Sequence, residues 1–358
     1  SAGTIVSSLM SGRVLKRFGT GWVTAVSVAM TAVALLGISM APGLIWIVLL
    51  GVPLGLGAGS VDAGLNDYVS KHYAAKHMNW LHCFWGIGAM SGPLIISQFI
   101  SRDLSWRNGY LAVAIIQLVL VGMLFFALPL WEKVSALVRK GQPEAEEEQG
   151  GGMPAGGGLF APLRIPGLPP VLLTFFFYCG IESTIGLWGG SFLVAVKGLD
   201  LSTAALWVSL YFGAITLGRL LSGFFSMRIS SKNLIRYGEI LILAGVVLFL
   251  LPLPVYFGLV SLMLIGLGCA PIFPSMLHET PARFGREAAQ HVMGFQMAVA
   301  YVGAMALAPI FGVIASNTSF YLMPIFLLAY IVIMLYCSEL VNRQLAARAG
   351  AAVPAFAE

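Results

Sequence analysis

Ten apolar runs dominate this sequence, and each is long enough to cross a lipid bilayer. They lie at roughly 22–41, 44–67, 79–101, 107–131, 168–196, 202–226, 237–253, 256–277, 292–315 and 319–341. A helix needs about 20 apolar residues to span the hydrocarbon, where every backbone polar group must be satisfied internally. Only 10% of the 358 residues are charged and 58% are hydrophobic, against about 25% charged in soluble domains. So few charges cannot cover a water-soluble surface of this size, and the chain reads as an all-α polytopic membrane protein. Its net charge of +5 belongs to the loops between spans and does not indicate nucleic-acid binding. Cys83, Cys179, Cys269 and Cys337 all fall in apolar runs and read as buried small hydrophobes without metal or disulfide spacing.

An internal repeat organises the spans. Leu9-Met10-Ser11-Gly12 with Arg17 matches Leu220-Leu221-Ser222-Gly223 with Arg228, and Gly55-Leu56-Gly57 matches Gly266-Leu267-Gly268 at the same offset. Gly88-Ala89-Met90 matches Gly303-Ala304-Met305 four residues out of phase. Repeats running in order imply two halves of like topology. The second half has six spans, and the first lacks a partner for 168–196. The expectation is a twelve-helix plan from which this chain omits helix 1 and most of helix 2, leaving about 11 helices. On that plan residues 1–131 form the N-terminal helical half, 132–165 a cytoplasmic linker, 166–341 the C-terminal half (helices 7–12) and 342–358 a cytoplasmic tail. The linker carries the acidic run Glu144–Glu148 and glycine clusters, a composition that favours a flexible segment.

Loop charge sets the orientation. With the 12–21 loop in the cytoplasm, Arg102, Arg107 and Lys197 fall in outer loops and Arg219 within a span, so 16 of the 20 Lys and Arg are cytoplasmic. This asymmetry places the chain in the cytoplasmic membrane as a multi-pass protein with a cytoplasmic C-terminus.

Intramembrane polar residues mark candidate sites, because a carboxylate in hydrocarbon costs about 2.5–3.5 kcal/mol on insertion scales. Asp62 continues a face begun by Gly51, Gly55 and Gly59, and Asn66 follows one turn later. Asp62 and Glu182, the second intramembrane acid, are candidate proton-coupling groups. Candidate substrate contacts are Asn66, Asn79, His82, Trp85, Tyr178, Trp188, Tyr211 and Gln296, since a sugar needs amides and carboxylates for its hydroxyls and aromatic rings for its apolar faces. Structural alternatives compete for several: helix-to-helix hydrogen bonds for Asn66 and His82, capping for Asn79, packing for Trp85 and Gln296. Tyr301 is placed on the same span as Gln296. Arg219 reads as the partner of a loop acid or a neighbouring helix end. His278, Glu279, Arg283 and Arg286 form a charge cluster at the cytoplasmic end of 256–277, which also carries Pro271 and Pro274.

The loop GRVLKRFG resembles the Gly-x-Leu-x-Asp-Arg-x-Gly motif of the major facilitator superfamily. Gly12, Arg17 and Gly19 fit, with Arg228 in the repeat, while Lys16 stands where the acid is expected. GLGAGSVDAGLNDYV with HMNWLHCFWGIGAMSGP, and GLGCAPIFPSMLHETPARFG with MGFQMAVAYVGA, resemble fucose-permease-like transporters. The resemblance implies a major facilitator fold and a sugar:proton symporter. In that family an acid followed four residues later by Asn serves coupling and sugar contact, a pattern that falls on Asp62 and Asn66. A further sugar-contacting Asn falls on Asn79. The implied partners are a monosaccharide or polyol, protons and membrane lipid, with no nucleic acid and no cofactor, in a monomer. No metal-ligand, nucleophile–base or phosphate-cradling pattern suggests an enzyme. The alternatives are a proton-coupled exporter of drug-like molecules and a sugar sensor. The first is kept open by Gly88, Gly92 and Pro93, although Ile96 and Ser97 replace the final glycines of the exporter motif.

Overall fold

The computed structural model describes residues 2–141 and 161–351. The acidic run Glu144–Glu148 and the tail beyond residue 351 lie outside them. The described residues form twelve α-helices: α1 Ala2–Phe18, α2 Thr20–Ser39, α3 Leu44–His72, α4 Ala75–Ile100, α5 Trp106–Gly141, α6 Leu168–Lys197, α7 Leu201–Phe225, α8 Ser231–Leu250, α9 Tyr256–His278, α10 Thr280–Phe284, α11 Arg286–Asn317 and α12 Met323–Ala351. Single 3-10 turns, Ala161–Arg164 and Phe320–Leu322, precede α6 and α12. All helices except α1 and the five-residue α10 contain a stretch long and apolar enough to span a membrane, ten in total. They match the ten apolar runs.

The helices outrun the apolar segments wherever polar ends continue into water. Helix α8 begins six residues before its predicted span, with the Ser230 hydroxyl accepting from the Asn233 N–H at 3.4 Å. Helix α5 continues to Gly141, ten residues past the end of its apolar run. Hydropathy sees the hydrocarbon-facing part alone, while the backbone ladder persists until a cap or glycine stops it. Gly19, at φ 77°, separates α1 from α2, and Gly285, at φ 84°, separates α10 from α11. Both adopt a conformation that side chains disfavour. Asp200 caps α7, accepting from the Thr203 N–H at 2.9 Å and from Ser202 Oγ. These hydrogen bonds hold its carboxyl well below the usual carboxylate range.

Helix α2 packs on both α3 and α5, α1 lies against α3 and α11, α6 packs on α11 and α12, and α8 packs on α9. Contacts of α4 with α7, and of α1 and α3 with α11, join helices from early and late in the chain. The core is dense with Phe175, Tyr178, Ile181, Phe192, Tyr211, Ile242 and Phe311. Apolar side chains also cover the outside; Phe126 is 90% exposed. A continuous exposed apolar surface of this kind suits lipid.

Small residues set the closest crossings. A Cβ on Gly268 of α9 would lie 2.6 Å from the Gly238 carbonyl oxygen of α8, and one on Gly238 would meet the Gly268 carbonyl oxygen just as closely. Because the obstacle is backbone, Gly268→Leu is expected to force these helices apart at a cost of about 1–3 kcal/mol or more. A thermal melt of the detergent-solubilised protein checks this. An unchanged melting temperature contradicts the close crossing. On α3, Gly59 abuts Ser7 and Thr4 of α1 and Gly55 abuts Thr4, whereas Gly51 meets nothing within 4 Å. The small face expected on this helix is thus used by α1 over its later part.

Candidate functional site

A cavity of about 240 Å3 lies among α3, α4, α6, α7, α9 and α11. Its walls include Asp62, His82, Trp85, Cys179, Glu182, Ser183, Arg219, Phe273 and Tyr301. Two other cavities are larger, but neither gathers charge in this way. One, about 320 Å3, opens at the start of α2 between Trp22, Tyr68 and Trp131. The other, about 350 Å3, is apolar and lies between α2, α3 and α5.

Asp62 is the most constrained group. Its Oδ1 accepts from Asn66 Nδ2 at 2.9 Å, one turn along α3, and its Oδ2 accepts from the Tyr301 hydroxyl of α11 at 2.6 Å. Asn66 Nδ2 also donates to the Asp62 carbonyl at 2.8 Å. Both of those partners accept only, so the NH2 end of the amide must face them. Asn66 Oδ1 therefore faces His82 Nε2, at 2.9 Å, and His82 must carry a proton on Nε2. A hydrogen-bonded chain results, running His82, Asn66, Asp62, Tyr301 from α4 through α3 to α11.

Arg219 forms the opposite wall. Its Nη2 stands 3.8 Å from Glu182 Oε2 on α6 and 3.5 Å from the Tyr178 hydroxyl, and its Nη1 is 3.5 Å from the His82 carbonyl on α4. The guanidinium carbon lies 5.2 Å from the Trp85 ring centroid, a cation–π distance. At 3.8 Å the Arg219–Glu182 pair is longer than a hydrogen bond, so the facing donor and acceptor are not used up on each other.

Asp62, Glu182, His82 and Trp85 thus meet in one cavity. Asn66, fully buried, stands directly behind Asp62, and Tyr178 stands behind Arg219 with its hydroxyl donating to the Cys269 carbonyl at 3.1 Å. Four other candidates lie elsewhere. Asn79 is buried and donates to the Ala75 carbonyl of its own helix at 3.0 Å. Trp188 donates to the Ala308 carbonyl at 2.7 Å and packs on Gly312. Tyr211 is buried with its hydroxyl beside the Cys269 thiol. Gln296 accepts from the Thr280 hydroxyl at 3.0 Å. Trp188, Tyr211 and Gln296 join neighbouring helices, while Asn79 bonds within its own.

Arg219 departs from its expected place: it stands in the cavity wall against Glu182, His82 and Trp85, with no loop acid or helix end as its partner. The sequence signal was its position inside an apolar run. For Tyr301 the sequence offers nothing beyond its span, because its partner is 239 residues away.

The loop-motif residues lie at one end of the bundle. Gly12 faces the His291 ring of α11, Arg17 stacks on Phe18 at 5.3 Å, Gly19 starts α2, and Arg228 is exposed in the turn after α7. That same end is tightly sealed. Gly294 of α11 abuts Ser8 and Ser11 of α1, Gly223 of α7 abuts Trp80 of α4, and Arg286 donates to the Lys71 carbonyl at 2.9 Å. On the other side of the cavity, Gly88 and Gly92 of α4 meet nothing within 4 Å. Of the expected charge cluster, Glu279 and Arg283 pair at 3.7 Å, and burial pushes the Arg283 guanidinium below its ordinary value.

Comparison with known proteins follows the same lines. The Major Facilitator Superfamily family model matches residues 1–306. Bypass of stop codon protein 6 of Saccharomyces cerevisiae is 26% identical over 94% of this chain and 72% of its own length. Glucose/mannose transporter GlcP of Bacillus subtilis is 28% identical over 65% of this chain and 56% of its own length. Among solved structures, the proton:xylose symporter XylE, bound to 6-bromo-6-deoxy-D-glucose, has a TM-score of 0.73 at 12% identity, covering 96% of this chain and 83% of that one. The E. coli fucose:proton symporter FucP gives 0.69 at 14% over 95% and 88%. The human organic anion transporter MFSD10 gives 0.69 at 14% over 95% and 82%. At these identities the structural likeness shows the fold alone.

Proposed function

This chain belongs to the Major Facilitator Superfamily, and from that premise we propose that it is a fucose-permease-like symporter that carries a monosaccharide or related polyol with protons. The observation that carries the proposal is the Asp62 carboxylate, held inside a spanning helix by Asn66 and Tyr301 and opening on a small cavity. An acid in that setting binds and releases protons as the cavity changes access. Glu182, Arg219 and the Trp85 ring supply what a sugar requires: charged hydrogen-bond partners for hydroxyls and an aromatic surface for a ring face. A volume of about 240 Å3 is below the ~300–1,000 Å3 of pockets for drug-sized ligands. Size therefore favours a monosaccharide over the exporter reading. GlcP, XylE and FucP are named for sugar transport, which points the same way.

In the proposed cycle the sealed end of the bundle is cytoplasmic, as loop charge indicates, and this conformation faces outward. Residues 1–131 and 166–341 supply two helical halves that rock about the cavity. Asp62 takes a proton from outside, sugar binds between Glu182, Arg219 and Trp85, and both are released inside. Trp188, Tyr211 and Gln296 hold helices in register around the site, and Asn79 bonds within the first turn of α4. Gly12, Arg17, Gly19 and Arg228 serve the turns that bend as the cytoplasmic seal opens.

The test is counterflow in proteoliposomes containing the full-length protein, with labelled glucose, mannose, xylose and fucose. Exchange of at least one sugar is expected, competed by its unlabelled form. If none exchanges and lipophilic cations are instead extruded against a proton gradient, the exporter reading replaces this one.

A further inference from the structure

The Asp62–Tyr301 hydrogen bond joins α3 to α11, and the surrounding contacts fix which oxygen of Asp62 can take a proton. Asn66 is locked in orientation: its NH2 faces the Asp62 carbonyl and Oδ1, and its oxygen faces His82. A proton on Oδ1 would oppose the Asn66 N–H, donor against donor. Oδ2 is the favoured site, because its partner at 2.6 Å, the Tyr301 hydroxyl, can turn its hydrogen away and accept, whereas the Asn66 amide nitrogen cannot. Once Oδ2 is protonated, the bond from the Tyr301 hydroxyl to a carboxylate no longer exists. The acid must donate to the Tyr301 oxygen, with the phenol hydrogen turned away, or the contact must open. In either case a charge-assisted bond across two helices is lost.

We infer that Tyr301 is the residue through which the proton on Asp62 is read as a conformation: its hydroxyl latches α11 to α3 by a charge-assisted bond while Asp62 is ionised, and protonation replaces that bond with a weaker neutral contact or none. The inference rests on the proposed role of Asp62 in proton coupling. The latch sits where it can act, because α1, α3 and α11 are already in contact between it and the sealed end, where Gly294 abuts Ser8 and Met293 meets Ser70. Ionised Asp62 thus favours the conformation seen here, and protonation frees the two helices to separate. After proton release the bond re-forms and draws the empty transporter back.

Other groups face the same carboxylate and must be weighed with it. Arg219 on α7 acts on it across the cavity, with Glu182 and Cys179 on α6 and His82 on α4. From α1 the side chains against α3 are Thr4, Ser7 and Ser8, from α2 the Thr31 side chain and the Ser27 carbonyl, and α9 brings Phe273. Asp67, Lys71, His72 and His291 form a separate charged group nearer the sealed end. Of these, Tyr301 alone both touches Asp62 and belongs to α11. Charge from Arg219 or Glu182 alters how readily Asp62 ionises, but it does not tie α3 to α11.

The test reads conformation and needs no substrate. Spin labels on cysteines introduced at the exposed residues Ser101 and Leu201 report the gap between the outer ends of α4 and α7. Distances are measured at pH 5.5 and pH 8 in full-length protein without sugar. In the parent, acid is expected to shift population away from the distance seen at pH 8. In Tyr301→Phe, which keeps the ring, the ratio of populations between the two pH values is expected to shrink about tenfold or more, as befits loss of a bond to a charged group. An Asp62→Asn background is expected to show no further effect of Tyr301→Phe. A pH response retained in Tyr301→Phe, or absent from the parent, overturns the inference. Counterflow with labelled glucose, mannose, xylose and fucose runs in parallel. If no sugar exchanges yet the pH response depends on Tyr301, the latch stands and the sugar reading falls. If a sugar exchanges and the pH response ignores Tyr301, the reverse holds.

Discussion

Asp62→Asn is expected to reduce proton-driven sugar accumulation to equilibration. With one proton per sugar, a gradient of about two pH units supports about hundredfold accumulation, because each unit is worth about 1.36 kcal/mol per proton. Asn is close to isosteric with Asp; its oxygen keeps the bond from Asn66 and its NH2 faces the Tyr301 oxygen, as the protonated acid does. Its amide cannot take up a proton, so movement of sugar is no longer tied to movement of charge. Sugar exchange continues in the variant, while the inside-to-outside ratio at steady state approaches one. Uptake of labelled sugar under an imposed pH gradient checks this. Full accumulation in the variant would transfer the coupling role to Glu182, the other acid of the cavity.

Arg219→Met carries the second large effect. The guanidinium is nearly buried and is shared by Glu182, the Tyr178 hydroxyl, the His82 carbonyl and the Trp85 ring. Removing it leaves Glu182 without its counter-charge, and breaking a buried pair from one side costs about 3–5 kcal/mol. The gap of 3.8 Å and the partial exposure of Glu182 place the expected loss near the lower end. Folded yield and melting temperature should fall together. The double variant Arg219→Met with Glu182→Gln should recover most of that stability, since no lone charge remains, but should not recover sugar exchange. Arg219→Lys keeps charge but loses the planar stack on Trp85 and should exchange sugar more weakly. A double variant no more stable than Arg219→Met would show that the Glu182 contact contributes little.

Much of this architecture is legible in the sequence because the bilayer imposes a simple rule. The ten apolar runs become ten helices, and Asp62 and Asn66, four residues apart, share a face and a hydrogen bond as helical spacing requires. The hydrogen bond from Tyr301 to Asp62 could not be read, because periodicity gives the face of one helix and not the neighbour it meets. The same limit applies to the aromatics. Trp188 and Tyr211 sit in spans as Trp85 and Tyr178 do, yet they pack between helices, while Trp85 lines the cavity and Tyr178 backs it. From sequence Arg219 pairs with a loop acid or a neighbouring helix end, because a cation near the predicted end of a span usually reaches water. Here α4 and α6 enclose it. Helix α10 is not legible because its five residues, Thr280–Phe284, carry no periodic signal.

The symport claim turns on whether sugar moves with a proton. The direct measurement is the external pH of lightly buffered proteoliposomes holding the full-length protein when the exchanging sugar is added without an imposed gradient. The account predicts immediate alkalinisation outside, about one proton taken up per sugar, in the parent and none in Asp62→Asn. Sugar entry with no pH change in the parent would contradict it and leave a facilitated carrier in its place.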